Sequence, residues 1–162
     1  MELATDSLND AMKQAGADYA TTAVLLIDHG SRRSESNDLL LEVVQMFESL
    51  SPFSIVLPAH MELAEPSIQA AFDQAVEKGA KLVVAFPYFL SPGRHWKKDV
   101  PQLVAEAAQR HFGVRFLVTA PLGLHPLMAQ VIADRIATCV KQPTQGCEIC
   151  TPDDACGIRQ AN

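Results

Sequence analysis

Long apolar runs are missing from this chain of 162 residues. The longest, "AVLLI" and "LVVAF", are far short of the roughly 20 residues that a membrane-crossing helix needs. An excess of positive charge is missing too: 13 Lys and Arg face 19 Asp and Glu, and the net charge of −6 argues against general nucleic-acid binding. No G-x-x-x-x-G-K-S/T is present, which argues against P-loop nucleotide chemistry. G-x-G-x-x-G and G-x-S-x-G are also absent, so neither a dinucleotide fingerprint nor a nucleophile elbow marks the chain. The opening "MELATDSLND" has no hydrophobic signal core and no basic, acid-poor presequence character. Secretion is not expected, and thiols should be reduced. Cysteine is scarce until the end, where three of the four crowd into the last sixteen residues.

What is present is an alternation of strands and helices. "AVLLID" (23–28) reads as a buried parallel strand. "FSIVLP" (53–58), "KLVVAFP" (81–87) and "VRFLVTA" (114–120) read as three more. Helices are expected over 34–50, 66–78, 97–110 and 127–139, with a short one over 8–15. Pro66 suits a helix start and Gly79 a helix end. Four strand–helix alternations in one domain call for an α/β fold, a four-stranded parallel sheet flanked by helices on both faces.

Ligands of such sheets bind outside the C-terminal ends of the strands. His29, His60, His95 and His125 all follow expected strands; His111 precedes the fourth and reads as ordinary surface. Alone, His29 reads equally well as a turn residue. With His95 it suits chemistry, because imidazole is both a metal ligand and a base near neutral pH. Glu62 and Glu65 add carboxylates after the second strand. Glu65 precedes Pro66, where negative charge favours a helix start; Glu62 is the better candidate to face a cleft. Arg32, Arg33, Arg94, Lys97 and Lys98 flank His29 or His95, five of the thirteen basic residues on an acidic protein. Their alternatives are a solvated charged face or a binding rim for a polyanion.

"IDHGSRRSESN", "PAHMELAEPSI", "FPYFLSPGRHWKKDVP" and "TAPLGLHPLM", in that order, resemble the sirohydrochlorin ferrochelatase family, the small class II chelatases. The resemblance covers about residues 23–140. It implies ATP-independent insertion of ferrous iron into sirohydrochlorin, a polycarboxylated macrocycle, to give siroheme. His29 and His95 are then the metal-handling histidines and Glu62 the accompanying acid; His60 and His125 are second-tier candidates. Arg32, Arg33, Arg94 and Lys97 would bind substrate carboxylates, and "PYFLSPG" and Trp96 would supply apolar contact. Larger relatives carry two such units, so a one-unit chain implies a homodimer. The implied layout is an extension over 1–20, a chelatase domain over 21–140 and a tail over 141–162. The implied compartment is a cyanobacterial cytoplasm or a chloroplast stroma. Cobalt or nickel insertion is the competing enzyme reading, and a non-catalytic tetrapyrrole or iron–sulfur carrier the competing non-enzyme one.

Toward the C-terminus, Cys139 and the tail residues Cys147, Cys150 and Cys156 are spaced C-x7-C-x2-C-x5-C. Four thiolates suit a 2Fe–2S cluster or zinc, with a disulfide as the third alternative. The resemblance to plant and cyanobacterial forms favours the cluster. Alternatively, Cys139 is buried in the last helix and the rest is a plain thiol-bearing tail.

Overall fold

The computed structural model describes residues 5–90 and 95–141, the side chains of His95, Trp96 and Lys141 excepted. Its contacts divide the chain into two compact units, one up to Gly123 and one from Leu124 onward.

The first unit is built on β1 (Thr22–Asp28), which is buried on both faces along almost its whole length. Such a strand needs covered neighbours on each side, and β2 (Ile55–His60) and β3 (Leu82–Pro87) provide them. Leu25 pairs with Leu57 on one side and Ala85 on the other, both parallel. β4 (Arg115–Val118) pairs with β3, completing the order β2-β1-β3-β4. Side chains alternate across this sheet. Ala23, Leu25 and Ile27 join one core with Phe72, Val100 and Val104, whereas Val24 and Leu26 join another with Met12, Leu40 and Val44. Slipping β1 by one residue would exchange the two sets, so the register is strongly specified.

The helices supply these covers. α1 (Asp6–Gln14) and α2 (Ser34–Leu50) contribute Met12, Leu40 and Val44 to one face. α3 (Ile68–Glu77) and α4 (Val100–Ala108) contribute Ile68, Phe72, Val100 and Val104 to the other. Phe72 is fully buried. Such burial stabilises by about 1.5–3 kcal/mol. Ser67 caps α3 by accepting a hydrogen bond from the Ala70 N–H.

Two boundaries differ from expectation. β2 runs on through Pro58 to His60 rather than stopping at 58. It is an edge strand, where a missing N–H costs no ladder bond. The helix expected from residue 97 instead begins as one π-helical turn over His95–Asp99 and becomes regular from Val100.

His111, expected as plain surface, is a staple. Its Nε2 lies 2.5 Å from Asp73 Oδ1, and its ring stacks on Phe72 at 5.6 Å. Gln69 donates to the same carboxylate, and Arg110 lies 3.7 Å from its other oxygen. The His111 hydrogen bond, helped by Gln69 and Arg110, holds the Asp73 carboxyl below its ordinary range against an opposing desolvation.

The second unit contains α5 (Pro126–Lys141). The His125 ring accepts from the Leu127 N–H at 3.2 Å and so caps this helix. Leu127, Val131, Ile132, Ile136 and Val140 are exposed along it. Among the described residues no helix is long and apolar enough to cross a membrane.

Candidate active site

His29 and Glu62 belong to loops that leave neighbouring strands at the same end of the sheet. The pairing of β1 with β2 continues past both strands. Met61 N–H donates to the Asp28 carbonyl (2.9 Å) and Glu62 N–H to the His29 carbonyl (3.1 Å). Gly30 makes this closeness possible. A Cβ built there would lie 1.9 Å from the Glu62 carbonyl oxygen, and its φ of 81° is in the left-handed region. Only glycine meets both demands.

The result is a side-chain pair: His29 Nε2 lies 2.9 Å from Glu62 Oε1. The other ring nitrogen faces the Gly30 carbonyl at 3.4 Å. The two side chains are 42% and 54% exposed, so a dissolved reactant can reach them. An imidazole beside a carboxylate can accept a proton and hand it on, or present donor atoms to a passing cation.

Beneath it lies a second pair that sequence reasoning did not foresee. The Asp28 carboxylate accepts from His60 Nδ1 at 2.6 Å and from the Gly30 N–H at 2.9 Å. Because the carboxylate is acceptor-only, the His60 Nδ1 is the protonated ring nitrogen. His60, expected in the loop, is the last residue of β2, with a side chain only 2% exposed. The turn is also tied to α2: the Ser31 N–H donates to Asn37 Oδ1, and Asn37 Nδ2 returns a bond to the Ser31 carbonyl, both at 2.9 Å. An Asp followed two residues later by Gly was the available signal for the Asp28–Gly30 contact. Nothing local signals the contact with His60, thirty-two residues away.

Arg32 and Arg33 lie exposed between this turn and α2, and an open depression of about 570 Å³ is lined by Arg33, Glu35 and Ser36. Lys97 and Lys98 are exposed on the π-helical turn. Tyr88 and Leu90, just past the end of β3, expose apolar surface. Glu65 does not join the pair; its carboxylate accepts from the Ser67 N–H at 2.7 Å. Arg94, Cys147, Cys150 and Cys156 lie outside the described residues, as does the side chain of His95. Cys139 is exposed, not buried in α5. Among the described residues, no three His, Cys, Asp or Glu side chains form a ready metal cage.

Residues 23–139 match the CbiX family model. This chain belongs to the CbiX family. The chain resembles the chloroplastic sirohydrochlorin ferrochelatase of Arabidopsis thaliana, with 49% identity over 83% of this chain and 61% of that protein. The sirohydrochlorin cobaltochelatase of Methanopyrus kandleri is 30% identical over 70% of this chain and 94% of its own. This chain therefore spans about three-fifths of the Arabidopsis relative and nearly all of the archaeal one. Among solved structures, a CbiX protein from Marinobacter aquaeolei VT8 superposes with a TM-score of 0.65 at 26% identity, covering 75% of this chain and 98% of that one. The sirohydrochlorin chelatase SirB of Bacillus subtilis, solved with cobalt, superposes with a TM-score of 0.69 at 24% identity. It is covered over 50% of its length, against 73% of this chain, and shares the fold.

Proposed function

We propose that this protein inserts ferrous iron into sirohydrochlorin, without nucleotide. The observation that carries the reading is the solvent-accessible His29–Glu62 pair at the open end of the sheet. Metallation requires that iron shed water while both pyrrolic protons leave the macrocycle. His29 accepts a proton or holds iron in transit, and Glu62, at 2.9 Å, takes the proton onward. His95, on the π-helical turn, is the proposed second metal-handling histidine. Arg32, Arg33, Arg94 and Lys97 bind the carboxylate rim, and Tyr88 and Leu90 contact the flat face. This machinery lies within residues 21–140.

Cobalt is the second reading, because several relatives, including the archaeal one of similar length, are named cobaltochelatases. The Arabidopsis ferrochelatase, at 49% identity, is more similar to this chain than the Methanopyrus cobaltochelatase at 30%, which favours iron. Rates of product formation with each metal under anaerobic conditions distinguish them. The active form is a homodimer: one unit here corresponds to half of the Bacillus chain, and exposed apolar residues on edge strand β4 suit a subunit contact. A chloroplast stroma is the proposed compartment, from the likeness to the Arabidopsis protein. Cys139, exposed at the last turn of α5, fits a ligand role in a 2Fe–2S centre with Cys147, Cys150 and Cys156. When bound, such a centre supplies electron storage or structural bracing, and the insertion residues act without it.

A further inference from the structure

We propose that His60 is a positioning residue, held by Asp28 beneath the two loops, which sets the register at which His29 and Glu62 meet. This rests on the functional reading above. With a side chain 2% exposed, His60 cannot itself touch a macrocycle or a hydrated metal ion. It touches instead each part that the open pair depends on. Its ring donates to Asp28, whose same oxygen orders the Gly30 N–H and hence the turn behind His29. Its Cβ lies 3.2 Å from where a Gly30 Cβ would stand. Its own N–H donates to the Pro66 carbonyl at 2.8 Å and so closes the loop that carries Glu62. That loop is held against a local preference. Leu63, next to Glu62, has a φ of 67°, which a branched residue keeps only when its surroundings impose it. Hydrophobic packing alone would serve the strand equally well with leucine at position 60. A buried ring bonded to a carboxylate instead fixes direction as well as depth.

The test uses full-length protein and steady-state insertion of ferrous iron into sirohydrochlorin. His60→Leu should lower kcat by about tenfold to a hundredfold, a loss typical of misplaced reacting groups, with KM nearly unchanged. His60→Asn, whose amide nitrogen can occupy the Nδ1 position, should recover most of the loss. His60→Gln, whose amide reaches the Nε2 position, should not. In a Glu62→Gln background, His60→Leu should cost little more, because the pair it positions is already broken. Wild-type kcat in the Leu variant would overturn the proposal, as would equal Asn and Gln variants or the same fold-loss in both backgrounds. If Leu does not fold, the Asn and Gln comparison decides. An inactive wild-type protein would refute the functional reading instead. Positioning is then read from crystal structures, where His29 and Glu62 should remain bonded in the Asn variant and separate in the Gln variant. Retention of the 2.9 Å contact in both would refute positioning.

Discussion

Two histidine–carboxylate pairs sit at opposite ends of the same parallel sheet. His29 and Glu62 meet where β1 and β2 end, and His111 and Asp73 meet near the entry to β4. Their chemistry is alike and their surroundings are not. His111 is stacked on Phe72, and its partner's oxygens are shared with Gln69 and Arg110. Every group there is committed to joining α3 to the turn after α4. The other pair stands on loops, more exposed, with Arg32 and Arg33 beside it. A saturated pair holds a fold together; an accessible pair on a rigid frame can meet a reactant. The frame in this case is the Asp28–His60 contact and the close approach of Gly30.

The two pairs should diverge most sharply under substitution. His29→Ala or Glu62→Gln should lower iron insertion by about 10²–10⁴-fold, as expected for removal of a proton-transfer group. Neither should move the thermal midpoint appreciably, since exposed loop side chains contribute little packing. His111→Ala should do the opposite: insertion stays within about twofold while stability falls by about 1 kcal/mol, read from urea unfolding.

Gly30→Ala should affect both properties, because a methyl group there collides with the Glu62 carbonyl. A destabilisation of about 1–3 kcal/mol together with a large fall in kcat is expected. Loss of stability with normal kcat would detach the turn from the chemistry. Charge reversal at Arg33 and Lys97 should raise the KM for sirohydrochlorin severalfold and leave kcat nearly unchanged. The effect should shrink in high salt.

The smallest expected effect is in pH. Asp73 titrates below its ordinary value of 3.8 when folded. Its contribution to stability is therefore present above that value and is lost as pH falls through the lower, folded one. Denaturation curves below about pH 4 should show wild type losing its advantage over Asp73→Asn. A constant difference across that range would mean that the staple acts through packing alone.

The fold was largely legible because β1 and β3 are buried strands with short apolar runs, and because α2 carries its apolar residues at helical spacing. Its observed limits, Ser34–Leu50, match those read from periodicity. Pro58 misled, since proline usually ends a strand. On an edge strand it does not, and the two residues it hid include His60. The loops bearing His29 and Glu62 were recognisable by residue type. That their side chains meet was not, because the contact follows from the β1–β2 register across more than thirty residues of chain. Asn37 was missed for a similar reason: its amide completes a turn six residues away and has no periodic signature.

The most direct measurement is anaerobic incubation of the protein with sirohydrochlorin and saturating ferrous iron, following the macrocycle's absorbance as metal enters. Catalysed siroheme formation is expected from the wild-type chain, near-background formation from His29→Ala, and unchanged circular dichroism between the two. Binding of sirohydrochlorin without metallation, or full activity in a folded His29→Ala variant, would contradict it.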